Sequence, residues 1–190
     1  FYKNKSYFFQ SETIQLAKRT KIKFKKNEIK RLYKLNKKID QPLIKKNYIT
    51  ISHGGISSPR LWAINNWKIL LKQFTNTSNC QVIILGTHKE KKQAISLNMI
   101  NKKKIINMCG KTKLPELFNL IKYSKAHVTN DNGTMHIATI YEKKCICLFN
   151  NHDPIGKWFP LNKNAKIYRP KNGVNDISPY DIIKELINLI

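Results

Sequence analysis

From Tyr48 onward the chain alternates short apolar runs with longer amphipathic stretches. The runs are "YITIS" (48–52), "QVIILG" (81–86), "KIINMC" (104–109), "AHVTN" (126–130), "CICLF" (145–149) and "AKIYR" (165–169). They are short, rich in Ile and Val, and bounded by Gly, Asn, Asp and Ser, which predicts buried strands. The intervening stretches predict helices over about 60–76, 89–101, 115–124, 133–143 and 179–189. The last opens on "SPYD", with Ser178 as cap and Pro179 at the first helical position. Strands alternating with helices across short loops predict a parallel sheet covered by helices on both faces.

Sheets of this kind bind ligands outside the carboxyl ends of their strands, so the loops there should share one chemistry. After the first strand comes "HGGISSPR", with Gly54 and Gly55 for a tight turn, Ser57 and Ser58 as donors, and Arg60 where the helix is predicted to begin. After the second comes "GTHKE", holding Glu90, and after the third "GKTKLPE", holding Gly110 and Thr112. The fourth run leads into "HVTNDNGTMHIA", residues 127–138. If a helix starts near Gly133, the free N–H groups of Asn132, Gly133 and Thr134 point outward with the positive end of the helix dipole, a site for phosphate. His136 then lies in the first turn, leaning back toward that end. A cation at a helix N-terminus is unfavourable unless an anion is near, so Arg60, with its planar fork, reads as a phosphate ligand. The common dinucleotide and nucleotide loops are excluded, since neither G-x-G-x-x-G nor a Walker lysine loop follows the first strand.

Composition changes this picture little. The net charge is +25, from 36 Lys plus Arg against 11 acids, which raises nucleic acid or an anionic membrane as a partner. Yet Lys, Asn and Ile supply 32, 21 and 27 residues, the mark of an A- and T-rich coding sequence, and no aromatic-interleaved basic motif appears. A basic nucleic-acid-binding module is therefore the alternative, and nucleic acid is not the expected partner. Cys80, Cys109, Cys145 and Cys147 fit no zinc spacing, and Cys145 and Cys147 should share one face of a strand as buried, reduced thiols, which fits a cytoplasmic protein. No apolar run approaches the roughly 18 residues of a membrane span. Residues 1–46 carry 15 basic residues against 3 acids and include the helix-like "KKNEIKRLYKLNKKI". They read as the tail of a preceding domain or a linker, with the main domain over 47–190. The chain opens on Phe1 rather than Met and is expected to be a piece of a larger protein.

The set "ITISHGGISSPRLWAINNW", "VIILGTHKE", "CGKTKLPELFNLIKYSKAHVTNDNGTMHIA" and "CLFNNHDPIGKWFP" resembles the donor-binding half of the lipopolysaccharide heptosyltransferases, glycosyltransferase family nine. The likeness covers about residues 47–160 and rests on "G-x-T-x-L-x-E-L" together with a D-x-G-x-x-H-x-A element. It implies a Rossmann-like α/β domain, the carboxyl-terminal half of a GT-B enzyme, that works without metal or cofactor. The implied reaction moves heptose from ADP-heptose, or a sugar from another nucleotide-sugar donor, to a lipopolysaccharide core acceptor with inversion. By motif position Arg60 would meet the diphosphate, Glu90 the ribose, and Thr112 the adenine edge. Gly55, Ile56, Asn132 and Gly133 would offer backbone contacts to phosphate, and Asp131 and His136 would lie beside sugar and phosphates. Arg60 and Asp131 are the catalytic candidates. Arg60 and the helix end would stabilise charge on the leaving diphosphate, while Asp131 suits a helix cap or a sugar-hydroxyl acceptor. The sequence departs from the family pattern at His53 and Gly54, at Asn132 in place of Ser or Thr, and at Lys113 where a capping hydroxyl is expected. The family's general base sits in the amino-terminal domain, so this chain alone is expected to bind a donor and catalyse poorly, or to be a nucleotide-binding remnant. Peripheral contact with the inner face of the inner membrane is a further expectation from the basic residues 1–46.

Overall fold

In the computed structural model of the chain, residues 41–55 and 60–190 are described. Six strands form one parallel sheet: β1 Tyr48–Ser52, β2 Gln81–Ile84, β3 Ile105–Asn107, β4 His127–Asn130, β5 Cys145–Leu148 and β6 Ala165–Tyr168, in the order β3-β2-β1-β4-β5-β6. The order reverses between β1 and β4, where Thr50 sits beside His127, Ile51 beside Val128 and Ser52 beside Thr129. Such a reversal leaves a crevice at the carboxyl edge, because the connections on its two sides run in opposite directions.

Five helices cover the sheet: α1 Ile64–Thr77, α2 Lys91–Asn98, α3 Leu114–Tyr123, α4 Gly133–Ile140 and α5 Pro179–Leu189. Alternation along the strands sends Ile49, Ile51, Val82, Ile84, Val128, Ile146 and Leu148 to one face, against Trp67, Leu70, Leu71 and Phe74 of α1, Leu97 of α2 and Leu186 of α5. The other face carries Tyr48, Ile83, Leu85, Cys145 and Cys147 against Phe118, Leu120 and Ile121 of α3 and Met135 and Ala138 of α4. Burying a Leu, Ile or Phe side chain contributes about 1.5–3 kcal/mol, so these two layers supply most of the driving force. Cys145 and Cys147 share a face as expected, with their Sγ atoms 3.3 Å apart, and all four cysteines are free.

Two local expectations are corrected. Helix α1 begins at Ile64, not at Arg60, because Trp62 first drops into the core, where its ring meets Trp67 edge-on at 5.1 Å and its Nε1 donates to the Ile177 carbonyl at 3.0 Å. Arg60 thus lies in the connection, away from the α1 dipole. Ser178 precedes α5 with Pro179 at its first position, but its hydroxyl makes no capping bond. Among the described residues no helix is long and apolar enough to cross a membrane.

Candidate functional site

The four polar loops do open at one edge of the sheet, and the side chains of Asn130 and Asn132 tie two of them together. Asn130, at the end of β4, donates from Nδ2 to the His53 carbonyl at 2.6 Å and accepts at Oδ1 from the Trp62 amide at 3.3 Å, so one amide clamps both ends of the loop that follows β1. Asn132 is the N-cap of α4: its Oδ1 accepts from the Thr134 amide at 2.9 Å and the Thr134 hydroxyl at 2.7 Å. Its Nδ2 donates to the Gly54 carbonyl at 2.8 Å and Ser52 Oγ at 3.1 Å. This corrects the expectation that Asp131 could cap: the side chain one residue later reaches the free amides, which leaves Asp131 to face the crevice. Asn132 is better suited here than Ser or Thr, since its amide can bridge to Gly54 while its oxygen caps.

At the mouth of the crevice stands a charged cluster. Arg60 Nη2 lies 2.8 Å from Asp153 Oδ2, and Nη1 lies 3.9 Å from Asp131 Oδ2. The anions that Arg60 meets in this structure are therefore carboxylates of the chain itself. Asp153 sits on the loop after β5, held in place by Arg169, whose Nη2 donates to the carbonyls of Asn151 at 2.7 Å and Asp153 at 2.8 Å. Burial pushes the Asp131 carboxyl up to about 6; Arg60 pulls it down and Asp153 pushes it up further. Asp131 is thus still an ionised acceptor at neutral pH, and it takes up a proton in mildly acid solution where an ordinary Asp would not.

Gly133, at the first position of α4, is exposed, and a Cβ there would meet nothing within 4 Å. Neither packing nor a left-handed backbone requires glycine at this point, and the space beside it is open. His136 is exposed in the first turn, and the protein around it lowers its pKa by desolvation.

On the other side of the crevice Glu90 folds back on its own turn. Its Oε2 accepts from the Thr87 amide at 2.7 Å, while the Thr87 hydroxyl takes the Lys89 amide, a capping box in "THKE". The carboxylate lies against Gly54, where a Cβ would fall 2.5 Å from Glu90 Cγ. Gly54 therefore serves close approach, not the tight turn expected, since its φ is not positive. His53 is buried beside it with neither ring nitrogen hydrogen-bonded; burial lowers its pKa and the Glu90 charge opposes that. Thr112 is half-buried on the neighbouring loop, where Gly110 adopts a φ of 70° against His88. Lys113 occupies the N-cap position of α3 without a side-chain cap; Glu116 instead accepts from its backbone amide at 2.7 Å.

Of the residues singled out from sequence, Arg60 and Asp131 meet directly, Asn132 and Gly133 form the adjoining helix start, and Gly55 lies on the facing loop, where a Cβ would stand 3.8 Å from the Asp131 carbonyl. Glu90 is linked to them through Gly54. No bond joins Thr112 or His136 to the cluster among the described residues, and Ile56, with Ser57 and Ser58, lies outside those residues. Asn130, Asp153 and Arg169 were not anticipated. Asn130 stands within "HVTNDNG" and could have been flagged as a buried amide ending a strand; Asp153 and Arg169 join the cluster only through the fold.

The family model for glycosyltransferase family 9 (heptosyltransferase) matches residues 4–178, and the chain belongs to that family. It is 27% identical over 149 residues to lipopolysaccharide heptosyltransferase 2 of Salmonella typhimurium, covering 68% of this chain and 42% of that protein. To lipooligosaccharide heptosyltransferase 2 of Campylobacter jejuni it is 28% identical over 156 residues, covering 77% and 48%. The chain thus spans about half the length of the curated relatives it matches. Among solved structures, E. coli ADP-heptose lps heptosyltransferase II superposes with a TM-score of 0.69 at 23% identity, over 86% of this chain and 50% of that one. E. coli heptosyltransferase WaaC with ADP gives 0.69 at 18% identity, over 80% and 47%. The fold is the Rossmann-like half of a GT-B glycosyltransferase.

Proposed function

We propose that the chain is the donor-binding half of a heptosyltransferase, gripping an ADP-sugar, with ADP-heptose the first candidate, for inverting transfer to a lipopolysaccharide core acceptor. The observation that carries this is the pairing of an unobstructed Gly133 at the α4 N-terminus with Arg60 and Asp131 at the strand-order reversal. Helix-end amides and a guanidinium suit a diphosphate. The Asp131 carboxylate suits a sugar hydroxyl, which can donate to it. As the bond from sugar to diphosphate breaks, negative charge grows on the phosphate oxygens, and preorganised donors lower that barrier without a metal. The phosphate shares Arg60 with Asp153, since a guanidinium carries five donors and the short contact to Asp153 involves Nη2. Glu90, with one carboxylate oxygen committed to Thr87, would offer the other to ribose hydroxyls, and Thr112 would border the base. His136 would stand beside the sugar and phosphates. Residues 47–190 form this donor unit and 1–46 belong to what precedes it. The basic residues of 1–46 suit loose attachment to an anionic membrane surface, about 1 kcal/mol each near such a surface.

Titration with ADP, UDP and a short DNA duplex at two salt concentrations tests the reading. Saturable ADP binding that tolerates moderate salt is expected. Duplex binding that falls steeply with salt would instead favour a general electrostatic surface. Gly133→Val should weaken ADP by roughly tenfold or more, ~1.4 kcal/mol at least, with little change in thermal unfolding, because the added side chain enters open space. Normal ADP binding by that variant would remove the helix end from the site.

A further inference from the structure

Behind the crevice, on the α4 face of the sheet, a polar chain runs through otherwise apolar packing. Thr50, His127 and Thr129 are fully buried, on the two strands that flank the reversal. His127 Nδ1 lies 2.9 Å from Thr50 Oγ1, and its Nε2 lies 2.8 Å from Thr134 Oγ1, on the first turn of α4. Thr134 Oγ1 lies 2.7 Å from Asn132 Oδ1.

The direction of every bond can be worked inward from the crevice. The Gly54 carbonyl only accepts, so the Asn132 group facing it is the amide nitrogen and the group facing Thr134 is the oxygen. That oxygen only accepts, so the single Thr134 hydroxyl proton goes to it. Thr134 Oγ1 must then accept from His127, which puts the imidazole proton on Nε2. Nδ1 is left bare and accepts from the Thr50 hydroxyl. The Thr129 hydroxyl donates to the Asn130 carbonyl at 2.7 Å and does not upset this order. Burial pushes His127 down to about 3, so the ring is neutral throughout the range in which the protein works.

We infer that His127 is a positioning residue: its Nε2–H commits the Thr134 hydroxyl to Asn132 Oδ1, reinforcing the orientation that the Gly54 carbonyl and the Thr134 amide give the Asn132 side chain, and so helps hold the β1 loop at Gly54 and the α4 start at Gly133 at one separation. These are the two walls between which a diphosphate would lie, so the inference rests on the reading of this edge as a nucleotide-sugar site. Without the Nε2–H, the Thr134 hydroxyl is free to donate elsewhere and Asn132 Oδ1 keeps only the Thr134 amide, a looser tie between the two walls. Nothing in the composition of "AHVTN" marks this role; a histidine beginning a buried strand reads as an ordinary core residue.

The test separates the two nitrogens. His127→Gln keeps an amide donor near the Nε2 position, whereas His127→Asn keeps a polar group only near Nδ1 and leaves the larger void; Thr50→Val and Thr134→Val each remove one hydroxyl at nearly constant shape. In the full chain, calorimetric ADP binding should stay within about threefold of the parent for His127→Gln and Thr50→Val, and fall roughly tenfold for His127→Asn and Thr134→Val, the loss expected of one orienting hydrogen bond. Thermal unfolding should shift similarly for the near-isosteric Thr50→Val and Thr134→Val variants, so a purely structural role predicts equal affinities for that pair, and equal affinities would overturn the inference. Side-chain nitrogen NMR of the parent gives a reading independent of ADP: an Nε2–H tautomer is expected, and an Nδ1–H tautomer would overturn the relay. Failure of the parent chain to bind ADP would overturn the functional reading, while the tautomer would still decide the relay.

Discussion

Two polar clusters flank the start of α4, and they differ in almost every physical respect. The inner one, Thr50, His127, Thr134 and Asn132, is neutral, and each side-chain polar atom that faces another is hydrogen-bonded. The outer one, Arg60, Asp131 and Asp153, is ionic, open to solvent on one side, and holds two like charges near one cation. A buried cluster that is fully paired holds geometry, since any change orphans a group in a low dielectric. A half-exposed cluster with surplus charge can exchange partners, since water and an incoming anion compensate for what is lost. The crevice thus has a stiff inner wall and an exchangeable outer rim.

The largest effect should come from damaging the two in turn. His127→Leu removes one hydrogen bond from each of the Thr50 and Thr134 hydroxyls, about 1 kcal/mol apiece, while Thr134 keeps Asn132 and Thr50 only a long contact to the Ala126 carbonyl, and it should lower the unfolding free energy by ~1–3 kcal/mol in denaturant titration. Arg60→Ala should change stability by less than ~1 kcal/mol, as exposed ion pairs do, yet weaken ADP by roughly ten- to a hundredfold through loss of a charged hydrogen bond worth about 1.5–3 kcal/mol. Lys68→Ala, away from the crevice, should do neither. If Arg60→Ala and Lys68→Ala lost affinity equally, surface charge and not the outer rim would be binding the nucleotide.

A smaller effect separates the clusters by pH. Asp131 titrates at about 6 in the fold against 3.8 without it. Between those values the folded chain holds a proton that the unfolded chain has released, so its contribution to stability falls as pH rises through the window. Asp131→Asn removes that contribution, so between pH 4 and 6 the variant's stability should rise more steeply with pH than the parent's, measured by denaturant unfolding. His127 contributes the opposite slope: the unfolded chain protonates it near 6.5 and the folded chain only at about 3, so its contribution to stability rises with pH across the same window. The smallest effect is expected from Asp153→Asn: releasing one carboxylate from Arg60 should tighten ADP by a few-fold at most, about 0.5–1 kcal/mol, with unfolding unchanged. Weaker binding would mean that Asp153 aims Arg60 instead of competing for it.

How far the site was legible follows from the range of the interactions. The start of α4 at Gly133 and the shared polarity of four loops could be read from neighbours along the chain, because capping and turn chemistry act over three or four residues. The role of Arg60 could be placed but its surroundings could not: the helix was expected at Arg60, whereas the burial of Trp62 delays it to Ile64. Asp131 was read as a possible cap from its residue type, while the choice between Asp131 and Asn132 depends on where Gly54 comes to lie.

The alternation of apolar runs and amphipathic stretches determined, by itself, that this chain builds a parallel sheet between two helical layers and which ends of the strands carry its chemistry. Periodicity suffices for that, because burial acts on every residue of an element in the same way. Only the tertiary structure decided that Asp153, delivered by the loop after β5 and held by Arg169, stands at Arg60, and that His127 is joined to the α4 start through Thr134. Hydrogen bonds and ion pairs are satisfied by whichever partner the fold brings within about 3 Å, and two residues far apart in a chain carry no local mark of the distance that will come to separate them.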